Sequence, residues 1–208
     1  MDFGIFLEQM RRGNTQDDAF REIFTLADNA EAWGLDIVWL AEMMVNPARS
    51  ILSAPLLMAS WIASRTKRVR TGTAVQLLPL NHPLRVAGEV TMLDHLSQGR
   101  FDFGIGRSGG PRAYDALGVA YEESQDRFFE ALEIIKTAFK GEPFSYEGKH
   151  YRFANVTVSP RPYRKPHPPF RMAATTPETF PRVAKMGLPI FVGLRGMSIP
   201  ELAGHLKV

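Results

Sequence analysis

Short apolar runs alternate with amphipathic helical patterns along nearly the whole chain, and this alternation most restricts the possible fold. The predicted strands are 3–7, 37–40, 69–75, 101–105, 170–174 and 189–194, and the predicted helices are 17–33, 56–64, 84–96, 125–139, 177–186 and 200–206. Parallel strands need crossover connections, and helices cover the faces of the sheet that the strands form. The sequence therefore predicts an α/β protein with six strand-helix units in a single domain, 1–208.

One segment, at about 141–169, interrupts the alternation. Apolar and polar residues alternate there from Tyr146 to Val158, which indicates a surface hairpin. Five prolines follow between Pro160 and Pro169, with three basic residues among them. A basic docking site is one interpretation, but proline-rich segments more often serve as extended connectors, which we favour here.

The topology of the sheet is left open by the pattern. Six units complete an open doubly wound sheet, whereas a closed (β/α)8 barrel needs eight units and typically about 250 residues. With 208 residues, length alone favours the open sheet.

Composition excludes several classes of protein. The chain has no cysteine, so disulfide scaffolds and thiolate metal sites are excluded, and we predict no metal site. The net charge is only +3, and no apolar run reaches the roughly 18 residues of a membrane span. The first residues also lack the pattern of a secretory signal. We therefore expect a cytoplasmic protein that binds neither nucleic acid nor a membrane.

A G-x-G-x-x-G motif at 104–109 directly follows a predicted strand, where a dinucleotide-binding motif would lie. The motif follows the fourth strand, however, and the next helix is predicted only from about Gln125. No acidic residue ends the next strand to bind a ribose. Arg107 is more informative, because an arginine past the carboxyl end of a strand points to the usual ligand face and can bind a phosphate.

Several longer motifs resemble the bacterial luciferase-like flavin-dependent monooxygenases. They are GTAVQLLP (72–79), NHPLR (81–85), LDHLSQGRFDFGIGR (93–107), GEPFSYEG (141–148) and AATTPET (173–179). The resemblance implies a TIM-type (β/α)8 barrel, incomplete here, that binds FMN at the carboxyl ends of its strands. It also implies that reduced FMN and O2 form a flavin C4a-hydroperoxide, which oxygenates a small apolar substrate.

The resemblance assigns the cofactor-binding residues one by one. Arg107 resembles the phosphate-binding arginine of the family, and Thr175, Thr176 and Thr179 match the turn that completes the phosphate site. N-capping is the simpler role for these threonines.

The resemblance also places Ala74 and Val75 at the strand end that lies against the flavin ring, where a non-proline cis peptide is expected. Gly106, directly before Arg107, belongs to the same cofactor-binding set. Small residues at these positions would let a flat ring approach the backbone closely.

Two positions, Met43 and Gln125, depart from the family pattern, whereas His82 is retained. Met43 stands where the family commonly has a catalytic histidine, and methionine cannot transfer a proton. His82 is then the nearest candidate for a titrating catalytic group, although a purely structural role is open. Gln125 replaces a frequent arginine, which predicts weaker flavin binding.

The implied partners are a flavin reductase that supplies reduced FMN, a small apolar substrate, O2 and a second subunit in a homo- or heterodimer. Two alternatives stay open. One is an F420-dependent oxidoreductase of the same superfamily, and the other is a non-catalytic flavin-binding subunit or fragment. The resemblance also makes the length anomalous, because the family supplies two further strand-helix units.

Overall fold

A computed structural model describes residues 1–9, 13–108, 110–174, 176, 178–193 and 198–206. The strands are β1 (Gly4–Leu7), β2 (Ile37–Leu40), β3 (Arg70–Thr73), β4 (Gln76–Leu77), β5 (Phe101–Gly106), β6 (Phe144–Glu147), β7 (Arg152–Val156), β8 (Phe170–Ala173) and β9 (Ile190–Phe191). The helices are α1 (Gln16–Ala32), α2 (Pro55–Arg65), α3 (Pro83–Leu96), α4 (Arg112–Leu117), α5 (Ser124–Ala138), α6 (Thr179–Lys185) and α7 (Ile199–His205).

The main sheet is parallel, and its strands lie side by side in chain order. The order is β1-β2-β3-β5-β8-β9, with β4 paired to β5. A doubly wound sheet reverses its strand order at a switch point, whereas this order never reverses. Because crossovers of parallel strands are right-handed, all helices then lie on one side and the sheet curls. The expectation of an open doubly wound sheet, drawn from length alone, is wrong, and the chain forms an incomplete TIM-type barrel.

The core lies between the curled sheet and its helices. On β5 the side chains of Phe101, Phe103 and Ile105 are fully buried in this layer, and Asp102 alternates with them on the other face. Helix α1 contributes a stripe of buried residues at helical spacing, namely Ala19, Ile23, Ala27 and Ala30. Buried residues recur at about every second position on the strands and every fourth on the helix, and the sequence predictions relied on these periods.

The structure differs from the sequence prediction in three places. The strand predicted over 69–75 ends at Thr73 as β3, and a further short strand that was not predicted, β4, follows at Gln76–Leu77. Helix α4 was not predicted, since its six residues are too few to show a helical period. The argument that no helix follows Arg107 before about Gln125 is therefore wrong, although the sheet order still excludes the dinucleotide-binding fold.

The hairpin predicted within 141–169 is present as the antiparallel pair β6 and β7. The proline-rich segment that follows forms neither helix nor strand, and the backbone N–H of Arg164 donates to a carboxylate oxygen of Asp94 at 2.8 Å. Among the described helices, none is both long and apolar enough to cross a bilayer.

Candidate functional site

All parallel strands end at the same edge of the curled sheet, and a large cavity lies there. Its volume is about 990 Å³, at the upper end of the range usual for ligand pockets. Much of its wall is apolar or small, and these residues are Phe6, Ala41, Met43, Ala74, Val75, Leu77, Leu80 and Ala116. The cavity thus occupies the face where barrel enzymes place their ligands.

The predicted flavin-contact residues Ala74, Val75 and Gly106 are brought together at this edge. The predicted cis peptide between Ala74 and Val75 is present, and both residues line the cavity. Gly106 lies against them, since a Cβ atom there would come within 2.2 Å of Cγ2 of Val75. Any residue larger than glycine would displace Val75 from the cavity wall.

Arg107 follows Gly106 at the end of β5, and its side chain is exposed. Its Nη1 donates a hydrogen bond to Oγ of the buried Ser124 at 2.9 Å, and its guanidinium lies 5.9 Å from the ring centre of Tyr121. The hydroxyl of Tyr114 donates to the backbone carbonyl of Arg107. Within the described ranges Arg107 forms no ion pair, so its charge is held by neutral groups and stays available to an anion.

The described threonines of the predicted phosphate turn follow the neighbouring strand, β8. Because β5 and β8 pair in parallel, Thr176 and Arg107 come after the ends of adjacent strands. The hydroxyl oxygens of Thr176 and Thr179 are 3.0 Å apart. Thr175 lies outside the described residues.

Met43 lines the cavity, as expected for a residue that replaces a catalytic group. Sequence reasoning overlooked its neighbour Glu42, which lies on the wall of the same cavity. Oε2 of Glu42 accepts hydrogen bonds from Nε2 of Gln76 at 2.7 Å and from the backbone N–H of Leu77 at 2.6 Å. Oε1 accepts a longer one, 3.3 Å, from Nδ2 of Asn81.

Burial raises the pKa of Glu42 to about 7, because the carboxylate loses hydration. The hydrogen bonds from Leu77 and Asn81 lower the pKa and oppose this shift only in part. Glu42 therefore changes its charge near neutral pH. Its position directly after an apolar strand was the signal that could have identified it.

Two other predicted positions lie away from the cavity wall. His82 is exposed, and its ring packs edge-on against Tyr151 with ring centres 5.8 Å apart. The structure does not bring it together with Met43, so we do not include it in the proposed catalytic set. Gln125 is exposed on α5, and the contact to Arg107 comes from the preceding residue, Ser124.

The arrangement combines three elements that suit a phosphorylated ring cofactor and an apolar substrate. A free guanidinium can bind a phosphate, small residues admit a flat ring, and the apolar part of the cavity wall offers a surface to an apolar substrate. The chemistry of these residues fits FMN.

The chain matches the luciferase-like monooxygenase family model over residues 1–203. Uncharacterized protein y4wF of Sinorhizobium fredii is 39% identical over 178 residues, covering 85% of this chain and 52% of that protein. The oxygenase component of the flavin-dependent trigonelline monooxygenase of Acinetobacter baylyi is 29% identical over 214 residues, covering 100% and 59%.

The crystal structure of the monooxygenase RslO1 from Streptomyces bottropensis superposes with a TM-score of 0.84 at 33% identity. The match covers 91% of this chain and 59% of that one. The chain thus spans between half and three-fifths of the length of these relatives, and its curled sheet corresponds to part of their fold. By fold, motifs and family match, this chain belongs to the luciferase-like monooxygenase family.

Proposed function

We propose that this chain is the oxygenase of a two-component monooxygenase, which binds reduced FMN at the carboxyl ends of β3, β5 and β8. The observation that carries the proposal is Arg107, a cation held by Ser124 and Tyr121 directly before Ser108, which lines the large cavity. Arg107, Thr176 and Thr179 would hold the phosphate, and Ala74, Val75 and Gly106 would admit the ring.

When bound, the reduced flavin supplies the reaction with O2, which protein side chains cannot perform. The chain itself binds the cofactor, orients a small apolar substrate and keeps water out. Of the cavity residues, Phe6, Met43, Val75 and Leu80 offer an apolar surface to such a substrate.

The proposed partners follow from this role. The relative from Acinetobacter baylyi is named as an oxygenase component, which supports a separate flavin reductase here. Leu57, Met92 and Leu96 on α2 and α3 are exposed to 74%, 55% and 60%. Such apolar exposure supports a dimer through these helices, and light scattering at known concentration tests it.

The test is a titration with FMN followed by the quenching of its fluorescence. We expect saturable binding, and Arg107→Ala should weaken it about 10- to 100-fold, since a charge-assisted hydrogen bond contributes about 1.5–3 kcal/mol. Arg65→Ala is the matched control, because Arg65 carries the same charge but pairs with Asp28 on the surface.

Four outcomes would count against the proposal. Absence of saturable quenching would exclude FMN as a ligand, and binding of F420 in a parallel titration would favour the alternative cofactor. Equal affinities of the two arginine variants would remove Arg107 from the site. A chain that binds FMN but consumes no O2 above the protein-free background would be the non-catalytic subunit.

A further inference from the structure

Glu42 lines two cavities at the carboxyl end of the sheet. One is the cavity of about 990 Å³ described above, and the other, of about 470 Å³, lies between α2 and α3. Glu42 lies two positions after the end of β2, so the sheet fixes the position of its backbone. Its neighbour in the larger cavity, Met43, has no proton to exchange.

The two oxygens of the Glu42 carboxyl group are not equivalent. Oε2 receives two short hydrogen bonds from Gln76 and Leu77, so both of its lone pairs are used. Oε1 receives only the 3.3 Å contact from Asn81. A proton on the group therefore resides on Oε1, the oxygen with spare capacity.

The charged groups around Glu42 leave its charge without a partner. Glu8 and Arg49 line the same cavity but pair with each other at 2.7 Å. Two charged residues of α4, Arg112 and Asp115, line the large cavity, and Glu89 of α3 lines the smaller one. Burial raises the pKa of Tyr114, and the charge of nearby Glu42 adds to this rise. Over the described part of the chain, no cation forms an ion pair with Glu42.

We infer that Glu42 is the proton donor and acceptor of the large cavity, acting through Oε1. This inference rests on the proposed function. In the step, the O–H bond at Oε1 breaks and a new O–H bond forms on a substrate or product oxygen that carries negative charge. The charge passes to the carboxylate, which then takes a proton from solvent water. No oxidant or reductant is needed for this step.

The first test measures the proton itself in the flavin-free chain. With glutamate labelled with ¹³C at the carboxyl carbon, we expect one carboxyl resonance to titrate near pH 7. The resonance should be absent in Glu42→Gln and present in Glu89→Gln. Glu89 is the matched control, because burial also raises its pKa but it does not line the large cavity.

The second test follows O2 consumption by the chain with reduced FMN, above the protein-free background, between pH 5.5 and 8.5. Loss of a general acid typically costs 10²- to 10⁴-fold in rate. We expect Glu42→Gln to lower the rate at least about 100-fold at pH 6. The change of rate with pH near pH 7 should be absent in this variant. Glu42→Asp should keep the change of rate near pH 7. It is the second variant if Glu42→Gln does not fold.

The outcomes separate the two proposals. If the wild-type chain binds no FMN, the proposed function is wrong and this inference falls with it. Suppose instead that the wild-type chain binds FMN. If Glu42 then titrates near pH 4.5, or if the rate of Glu42→Gln still changes near pH 7, this inference alone is wrong.

Discussion

The two ends of the curled sheet differ in the groups that surround their charged side chains. At the amino end, Asp102 is fully buried and three arginines surround its carboxylate. Nη1 of Arg70 lies at 2.9 Å, Nη1 of Arg164 at 3.3 Å and Nη2 of Arg171 at 3.7 Å. At the carboxyl end, the contacts of Arg107 and Glu42 within the described ranges are with neutral donors and acceptors.

The difference shows which charges serve the fold. A buried charge that has partners costs the folded chain less than an unpaired one, and losing one partner leaves the others unpaired. A charge held by neutral groups does not stabilise the fold, and a buried one lowers the free energy of unfolding, but it stays free for a ligand or a proton. This division follows the general rule that barrel enzymes place stability at the amino end and chemistry at the carboxyl end.

The largest effect should come from removing the centre of the amino-end cluster. Asp102→Ala leaves three arginines without their shared carboxylate, and breaking a buried ion pair costs about 3–5 kcal/mol. We expect a loss of about 4 kcal/mol in the free energy of unfolding, measured by urea denaturation.

Asp28→Ala is the control for this variant, because Asp28 pairs with Arg65 on the surface at 2.7 Å. Exposed pairs contribute about 0–1 kcal/mol, so this variant should unfold almost like the wild type. Similar losses for both aspartates would show that the amino-end cluster has no special role in stability.

The sequence predicts the elements of both ends but not their contacts. Each apolar run that became a strand has a period or length that local chemistry reveals, and Arg107 was identifiable because it follows such a run. The partners of Asp102 lie more than 30 residues away in either direction, so an aspartate within FDFGI gives no sign of which cations surround it.

The same reason explains why Glu42 was missed. Its three donors come from residues 76, 77 and 81, and only the folded sheet brings them to the end of β2. The burial that raises its pKa is likewise a tertiary property. Tyr114 lies on a helix too short to show a period, so the sequence did not reveal its contact with Arg107.

A second, smaller effect should appear at the carboxyl end as a dependence of stability on pH. The folded-state pKa of Glu42, about 7, exceeds the ordinary value of 4.5. Unfolded chains therefore lose this proton at lower pH than folded ones. Stability falls as pH rises from about 4.5 to 7, by about 3 kcal/mol from this group, and falls no further above that.

Urea denaturation of the wild type and Glu42→Gln at pH 5, 6, 7 and 8 measures this contribution of Glu42 to the free energy of unfolding. The difference between their unfolding free energies should change across the window from pH 5 to 7 and stay constant from 7 to 8. Glu89→Gln, whose carboxyl group is more exposed, should show a smaller change. Parallel curves for the wild type and Glu42→Gln would show that the charge of Glu42 does not change between pH 5 and 8.

The smallest effect concerns the neutral partner that holds Arg107. Ser124→Ala removes the hydrogen bond from Nη1 of Arg107 to the serine hydroxyl. Because a single hydrogen bond contributes about 1 kcal/mol, we expect FMN affinity to fall about fivefold. In the Arg107→Ala background the same change should have no further effect, since its only proposed role is to position the guanidinium. Additive losses would instead mean that Ser124 contacts FMN itself, and the carboxyl end would then bind the anion with neutral donors as well as with a free cation.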